Sequence, residues 1–289
     1  MTHAQNPNST PKISFIIPTR DQGDLLKQCI QSLLTKTNYP KPALEIIIIN
    51  NRTTDADTLC YLSELTLLSC VRVIDYDRPF NFSSISNLGV KYARYDNICL
   101  LNNDTEVISP SWLLEMVYFL NREDVGCVGA KLYYPDDTIQ HAGVVLGING
   151  VAGHVYKHCP RSTKGHDNHL LHARYYSAVT AACMLVKKSL YIEVGGFDEK
   201  LAIAYNDVDF CLTLRALGYK HVWTPRAELY HHESVSRGTH KQRSWHQKRL
   251  LKKEVRYMRK KWGSQLSNDP AWDLNWPLTE SWCGENATD

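Results

Sequence analysis

Apolar residues in the first hundred positions fall into short runs separated by stretches with helical spacing. Residues 13–17 (ISFII) form a β-branched run closed by Pro18, the pattern of a strand buried on both faces. Leu25, Leu26, Cys29, Ile30, Leu33 and Leu34 then recur at helical spacing. The alternation continues with a strand over 44–49, a helix over 58–68, a strand over 71–74, a helix over 84–93 and a strand over 97–101. Such alternation predicts a parallel sheet covered by helices on both faces. Ligands of such sheets collect at the carboxyl ends of the strands. Here those ends are Pro18-Thr19-Arg20, Asn50-Asn51, Asp75-Tyr76-Asp77 and Asn102-Asn103-Asp104, which are expected to converge on one crevice.

The rhythm weakens after Ser109. Ser109-Pro110 introduces a helix over 112–120, and a strand is predicted over 125–133. Residues 135–174 are rich in Gly, His and Asp and read as a long loop-rich excursion. An apolar stretch over 178–186, a Gly195-Gly196-Phe197 turn and a helix over 208–217 closed by Gly218 follow. Two short strands, 219–224 and 228–230, lead to His231-His232-Glu233. Beyond Trp262 the prolines and tryptophans predict an extended tail.

With 43% hydrophobic and 22% charged residues in 289, the chain is an ordinary globular one, which excludes wholesale disorder and fibrous repeats. No apolar run approaches the ~20 residues that cross a bilayer. Residues 1–11 carry no basic-then-apolar signal and read as a disordered arm. The net charge of +3 conceals an asymmetry. Residues 237–261 hold 11 Lys/Arg and one acidic residue, Glu254, a balance of +10, so the remainder carries −7. That basic segment has Leu251, Val255, Met258 and Trp262 at helical spacing and reads as an amphipathic helix. Its apolar stripe can pack on the domain, or the basic face over 239–262 can contact an anionic membrane surface or a lipid-linked diphosphate. Nucleic acid is the least supported partner, since no recognition module is present. The nine cysteines form no C-x-x-C and sit mostly in apolar segments, which predicts reduced core thiols and a cytoplasmic location.

Three polar clusters could carry chemistry. Asn102-Asn103-Asp104 ends an apolar strand abruptly, suiting either a divalent cation or a plain turn. Asp207 stands at a helix start, as a cap or as a general base. His231-His232-Glu233-Ser234 closes the last strand. The histidines at 154, 158, 166, 169 and 172 with Cys159 match no familiar zinc spacing. Dinucleotide, P-loop and serine-hydrolase motifs are absent.

Taken in order, these pieces resemble family 2 glycosyltransferases of the GT-A fold, in the bacterial branch that builds O-antigens and other surface polysaccharides and is often rhamnosyltransferase-like. The resemblance runs from Ile13 to about Gly238, through Asn87-Leu88-Gly89, LLNNDTEV at 100–107, GGFDE at 195–199 and NDVDFCLTLRALGY at 206–219. It implies an α/β, mostly parallel central sheet, with a nucleotide-binding half over 12–107 and an acceptor and catalytic half over 108–238, followed by the basic helix and tail over 239–289. It implies inverting transfer of a sugar, rhamnose at family level, from a nucleoside diphosphate sugar to a hydroxyl of a glycan or lipid-linked glycan. It puts Pro18, Thr19, Arg20, Asn50, Asp77, Asn87, Asn102, Asn103 and Arg237 at the donor. Asp104 and His231 would hold Mn2+ or Mg2+, Asp207 would be the base, and Gln140, His141, Asn206 and His232 would lie on the acceptor side. The chain departs from the family at Asn50, Asn102 and Asn206, where acidic residues are usual. Another nucleotide-sugar or nucleotidyl-transfer enzyme, or a non-catalytic glycan-binding module, stays open, as does membership of a longer polypeptide.

Overall fold

The computed structural model describes residues 10–232 and 244–284. The arm over 1–9, Glu233-Ser234, Arg237 and the start of the basic segment lie outside the described residues.

Strands β1 (Ile13–Thr19), β2 (Leu44–Asn50), β3 (Val71–Asp75) and β4 (Asn97–Leu101) run parallel, with β1 between β2 and β4. Helices α1 (Gly23–Lys36), α2 (Ala56–Leu65) and α3 (Phe82–Tyr92) make the crossovers. The period-2 geometry of a strand explains the apolar runs, broken in β1 and β2 only by the buried, hydrogen-bonded pair Ser14 and Glu45. Phe15, Ile17, Ile46 and Ile48 enter one core layer with Leu26 and Trp112, while Ile16, Ile47 and Ile49 enter the other with Ile85. Gly89 of α3 lies against β1 so closely that a Cβ there would come within 2.2 Å of Ile16 Cγ2, which accounts for the Asn-Leu-Gly motif.

The second half adds β5 (Thr105–Val107), α4 (Trp112–Leu120), β6 (Val125–Tyr133), β7 (Ile139–His141), β8 (Val144–Leu146), β9 (Ala152–His154), β10 (Arg174–Tyr176), β11 (Cys183–Lys187), α5 (Lys188–Glu193), α6 (Asn206–Ala216) and β12 (Lys220–His231). The main sheet follows the order β10-β12-β6-β11-β4-β1-β2-β3. β11 is antiparallel to both of its neighbours, whereas β12 runs parallel to β6.

Four expectations are corrected here. The two short strands over 219–230 are a single β12, whose register shifts between Thr224 and Glu228 around Pro225, a residue with no amide hydrogen for the ladder. The 135–174 excursion contains β7 to β9 and the first residue of β10, too short to show a period. The tail is not extended. It folds back so that Leu266 and Trp272 are buried, with Trp272, Trp276 and Trp282 ring centroids 5.1–5.9 Å apart. That fold-back joins Cys159 to Cys283 in a disulfide across 124 positions, so the cysteines are not all free thiols. Cysteines so far apart give no spacing signal in the sequence. No helix among the described residues is long and apolar enough to cross a membrane.

The basic segment forms α7 (Trp245–Trp262), opened by a capping box between Ser244 and Gln247. Its apolar stripe packs on the domain, with Met258 fully buried. Glu254 is also fully buried, and its carboxylate accepts the backbone N–H groups of Ala202, Ile203 and Ala204 at 2.7, 3.1 and 3.0 Å. Lys261 and the Trp262 indole both reach the buried Asp209 of α6, at 2.7–2.8 Å.

Candidate active site

A cavity of about 610 Å³ opens at the carboxyl ends of β1, β2 and β4 and the end of β12. Pro18, Thr19, Arg20, Asn51, Asn102, Asn103, Asp104 and His231 line it, together with Phe80, Ile203 and Ala204. His246, Gln247, Leu250 and Leu251 complete the wall from α7. Three of the four expected strand ends therefore meet here, whereas Asp75-Tyr76-Asp77 after β3 stays outside the cavity, and a helix that the strand pattern did not foresee takes part.

Local hydrogen bonding fixes the polar cluster after β4. The Asn102 amide donates to Ala182 O at 3.0 Å, and the Thr105 hydroxyl donates back to Asn102 O at 2.9 Å, closing the turn. Asn103 Nδ2 donates to Thr19 Oγ1 at 3.0 Å and ties the ends of β4 and β1 together. Asp104 is thereby held at 5% exposure. β5 pairs with β12, with Thr105 opposite His231, and the His232 amide donates to Asp104 O at 2.8 Å. This pairing places His231 Nε2 3.1 Å from Asp104 Oδ1 and 3.0 Å from Asn102 Nδ2.

Gln140, on β7, holds His231 at both ends. Its Nε2 donates to His231 O at 3.2 Å, so its Oε1, 2.5 Å from His231 Nδ1, is an acceptor. The proton therefore resides on Nδ1, which leaves Nε2 as the acceptor nitrogen, turned toward Asn102 Nδ2 and Asp104 Oδ1. A metal-binding imidazole is usually held this way by its second nitrogen. A carboxylate oxygen and an imidazole nitrogen 3.1 Å apart match adjacent positions on one divalent ion, whose ligand bonds of about 2.0–2.2 Å set neighbouring donors about 3 Å apart. The donor pair fits a cation.

Asp207 is the second residue of α6, half-buried. Its Oδ2 accepts Ala181 N–H at 3.1 Å and its Oδ1 accepts Val208 N–H at 2.9 Å, which orients the carboxylate and leaves each oxygen a lone pair. Asn206 is buried, and its Oδ1 accepts the Asp207 amide at 2.9 Å, so it acts as scaffold beneath Asp207. The next acidic residue, Asp209, is taken up by Lys261 and Trp262.

Several expected site residues lie elsewhere. Asn50 bonds Asp75 Oδ1 and Thr53 N at the rim, whereas its neighbour Asn51 lines the cavity, anchored to Tyr76 O and Arg78 O at 3.1 and 2.8 Å. Asp77 is exposed and paired with Arg52 at 2.6 Å. The Asn87 amide is fully used by the GGFDE loop and α5, donating to Phe197 O and Glu199 Oε1 and accepting from Phe197 N and from Tyr191 Oη of α5. Gly196, at φ +74, leaves room for it, since a Cβ there would sit 2.5 Å from Asn87 Oδ1. Asn87 therefore clamps that loop and does not face the donor cavity. Gln140 and His141 are buried behind the site, His141 against His154 with Nδ1 atoms 3.2 Å apart. His232 faces α1, 3.4 Å from Gln28 Nε2 and 3.5 Å from Glu106. Asn51, Gln140 and the helix α7 are each expected from the sequence, but their places, on the cavity wall for Asn51 and α7 and behind His231 for Gln140, come only from the folded chain.

The His-rich stretch assembles no metal cluster. Among the described residues, three His/Cys/Asp/Glu ligand atoms meet only at Cys127, Cys211 and His221, in the core. Burial holds the Cys127 thiol well above its usual pKa, and His221, also desolvated, falls to about 4.

This α/β sheet, with a carboxylate and an imidazole on the wall of its strand-end cavity, is a scaffold of the GT-A type. The mannosyltransferase PcManGT of Pyrobaculum calidifontis, solved in complex with GDP-Man and Mn2+, shares that fold. Its TM-score is 0.59 at 15% identity, over 80% of this chain and 59% of that one. Residues 14–184 match the glycosyl transferase family 2 model, and the chain belongs to that family. Uncharacterized protein y4gI of Sinorhizobium fredii is 45% identical over 93% of this chain, and the O-antigen biosynthesis protein RfbC of Myxococcus xanthus is 39% identical over 79%. The chain spans 29% of the first relative's length and 18% of the second's.

Proposed function

We propose that this chain is the catalytic unit of an inverting glycosyltransferase. It moves a sugar from a nucleoside diphosphate sugar to a hydroxyl of a surface polysaccharide or lipid-linked glycan. The observation that carries this reading is the Asp104–His231 pair, 3.1 Å apart on the wall of the strand-end cavity. Kinship with a protein of O-antigen biosynthesis and the shared fold of a GDP-Man- and Mn2+-bound mannosyltransferase support it. The small share of each relative covered by the chain suits a module of a longer polypeptide.

Asp104 and His231 would hold a divalent cation, which supplies positive charge to the departing diphosphate. Thr19, Arg20 and Asn51 line the space for the nucleotide, and Asn102 and Asn103 brace the strand end beside it. Asp207, oriented by the two backbone amides, takes the proton of the acceptor hydroxyl as its oxygen bonds to the anomeric carbon and the carbon–oxygen bond to diphosphate breaks. General-base help of this kind contributes about 10²–10⁴ in rate. The exposed cations of α7, among them Lys252, Arg256 and Lys260, provide a face for peripheral contact with an anionic membrane.

The test is a panel of sugar nucleotides, deoxythymidine diphosphate rhamnose included, assayed with Mn2+ for release of nucleoside diphosphate. One donor is expected to turn over. Asp207→Asn should abolish transfer with donor affinity kept, and Asp104→Ala should remove the Mn2+-dependent part of donor binding. Wild-type turnover in Asp207→Asn, or no turnover with any donor, refutes the reading.

A further inference from the structure

We infer that a second cavity, at the other end of β12, binds an anionic saccharide unit, one bearing a phosphate or a carboxylate. The cavity measures about 620 Å³ and is lined by Arg174, Tyr175, Ser177, Arg215, Tyr219 and Lys220 among others. Lys220 is the first residue of β12 and His231 the last, so about 35 Å of strand separates this cavity from the transfer centre. The two sites are distinct.

The charges inside it are poorly matched by the protein. Arg174 is half-buried and makes no hydrogen bond or ion pair with a carboxylate among the described residues. Arg215 is also half-buried, and its Nη1 donates at 3.0 Å only to the neutral Ser177 hydroxyl. Asp269, a buried acid close enough to feel the Arg215 charge, spends its hydrogen bonds on Leu146 N, Ala271 N and that same Ser177 hydroxyl, at 2.6, 2.7 and 2.8 Å, and not on a guanidinium. Lys220 shares one carboxylate, Asp124, with Arg122. This excess of cations sits in a body that carries −7 outside the basic segment, so it is a local feature and not a general surface property. Like charges sharing one partly desolvated cavity repel, and an anion between them relieves that repulsion. Two guanidinium forks suit the paired oxygens of a phosphate or carboxylate. The ring of Tyr219 offers a wall for the apolar face of a sugar, whereas the Tyr175 ring already carries Arg122 and Lys220 at 5.7 and 5.2 Å from its centroid.

The anion-binding part stands on the cavity alone, whereas the saccharide part rests on the proposed function. Such a site would hold a charged unit of the acceptor chain away from the growing end. The test titrates the full chain by calorimetry with glucose 1-phosphate, glucuronate, inorganic phosphate and glucose. Saturable binding of glucose 1-phosphate or glucuronate is expected, at least threefold tighter than inorganic phosphate, and whichever of the two binds tells phosphate from carboxylate. Arg174→Ala and Arg215→Ala should each weaken it at least tenfold, while Asp104→Ala, in the other cavity, leaves it unchanged. Arg174 has no protein partner to lose, so that variant keeps the test valid if Arg215→Ala melts early. Absence of saturable binding, equal affinity in Arg174→Ala, or equal binding of neutral glucose overturns the site. Inorganic phosphate binding as tightly as the sugar anions removes the saccharide and leaves the anion. No transfer is measured, so the result is independent of the proposed activity.

Discussion

Removing the Glu254 carboxylate tests whether α7 is part of the active site or an appendage. The carboxylate is fully buried and receives three consecutive backbone N–H groups from residues 202–204, of which Ile203 and Ala204 line the donor cavity. Glu254→Ala strands three donors, each costing about 1–3 kcal/mol when buried without a partner. Relief from desolvating a carboxylate, and relaxation of the loop toward water, offset part of that. A net loss of about 3 kcal/mol follows, equivalent to a drop of about 6–12 °C in Tm for a chain of this size. Donor affinity should fall with it, because the freed loop forms one wall of the cavity. Burial pushes the Glu254 pKa up, against the opposing pull of the backbone donors. The folded state therefore binds more protons than the unfolded state between the ordinary value and the raised one, and this group's contribution to stability declines as pH rises through that window. Glu254→Gln should flatten that decline. Differential scanning fluorimetry against pH and calorimetry with the donor are the assays. A Tm within 2 °C of wild type for Glu254→Ala, with unchanged donor affinity, would refute the coupling.

Gln140→Leu should lower Mn2+ affinity about 10–100-fold by releasing His231 Nδ1, with Gln140→Glu restoring part of it; equal affinity in a metal titration rules out the positioning role. His221 is fully buried with a pKa lowered from 6.5 to about 4, so its neutral form adds up to about 3 kcal/mol of stability above pH 6.5, lost as pH falls toward 4. His221→Phe should remove that acid-side decline, and an unchanged Tm-versus-pH slope counts against it. Reversing Lys252, Arg256 and Lys260 to Glu should weaken binding to phosphatidylglycerol-containing vesicles more than a hundredfold, at about 1 kcal/mol per cation, with the fold intact. Identical sedimentation with vesicles would dismiss the membrane contact.

The strand–helix alternation determined the parallel core, because runs such as 13–17 and 44–49, apolar apart from Ser14 and Glu45, read as strands covered on both sides. The same pattern determined that Thr19, Asn102, Asn103 and Asp104 gather at one end, since parallel strands share a direction. What the tertiary structure decided was which neighbour faces inward and what stands behind it. Asn51 lines the cavity and Asn50 does not, because the chain turns at the end of β2 and side chains one residue apart point apart. Gln140, Asn87 and Glu254 act through partners 91, 110 and about 50 positions away, and no local period encodes such distances. The disulfide of Cys159 with Cys283 depends in the same way on the tail folding back. Periodicity reports which face of an element is dry, whereas the identity of the group on the other side of that face exists only once the chain has closed on itself.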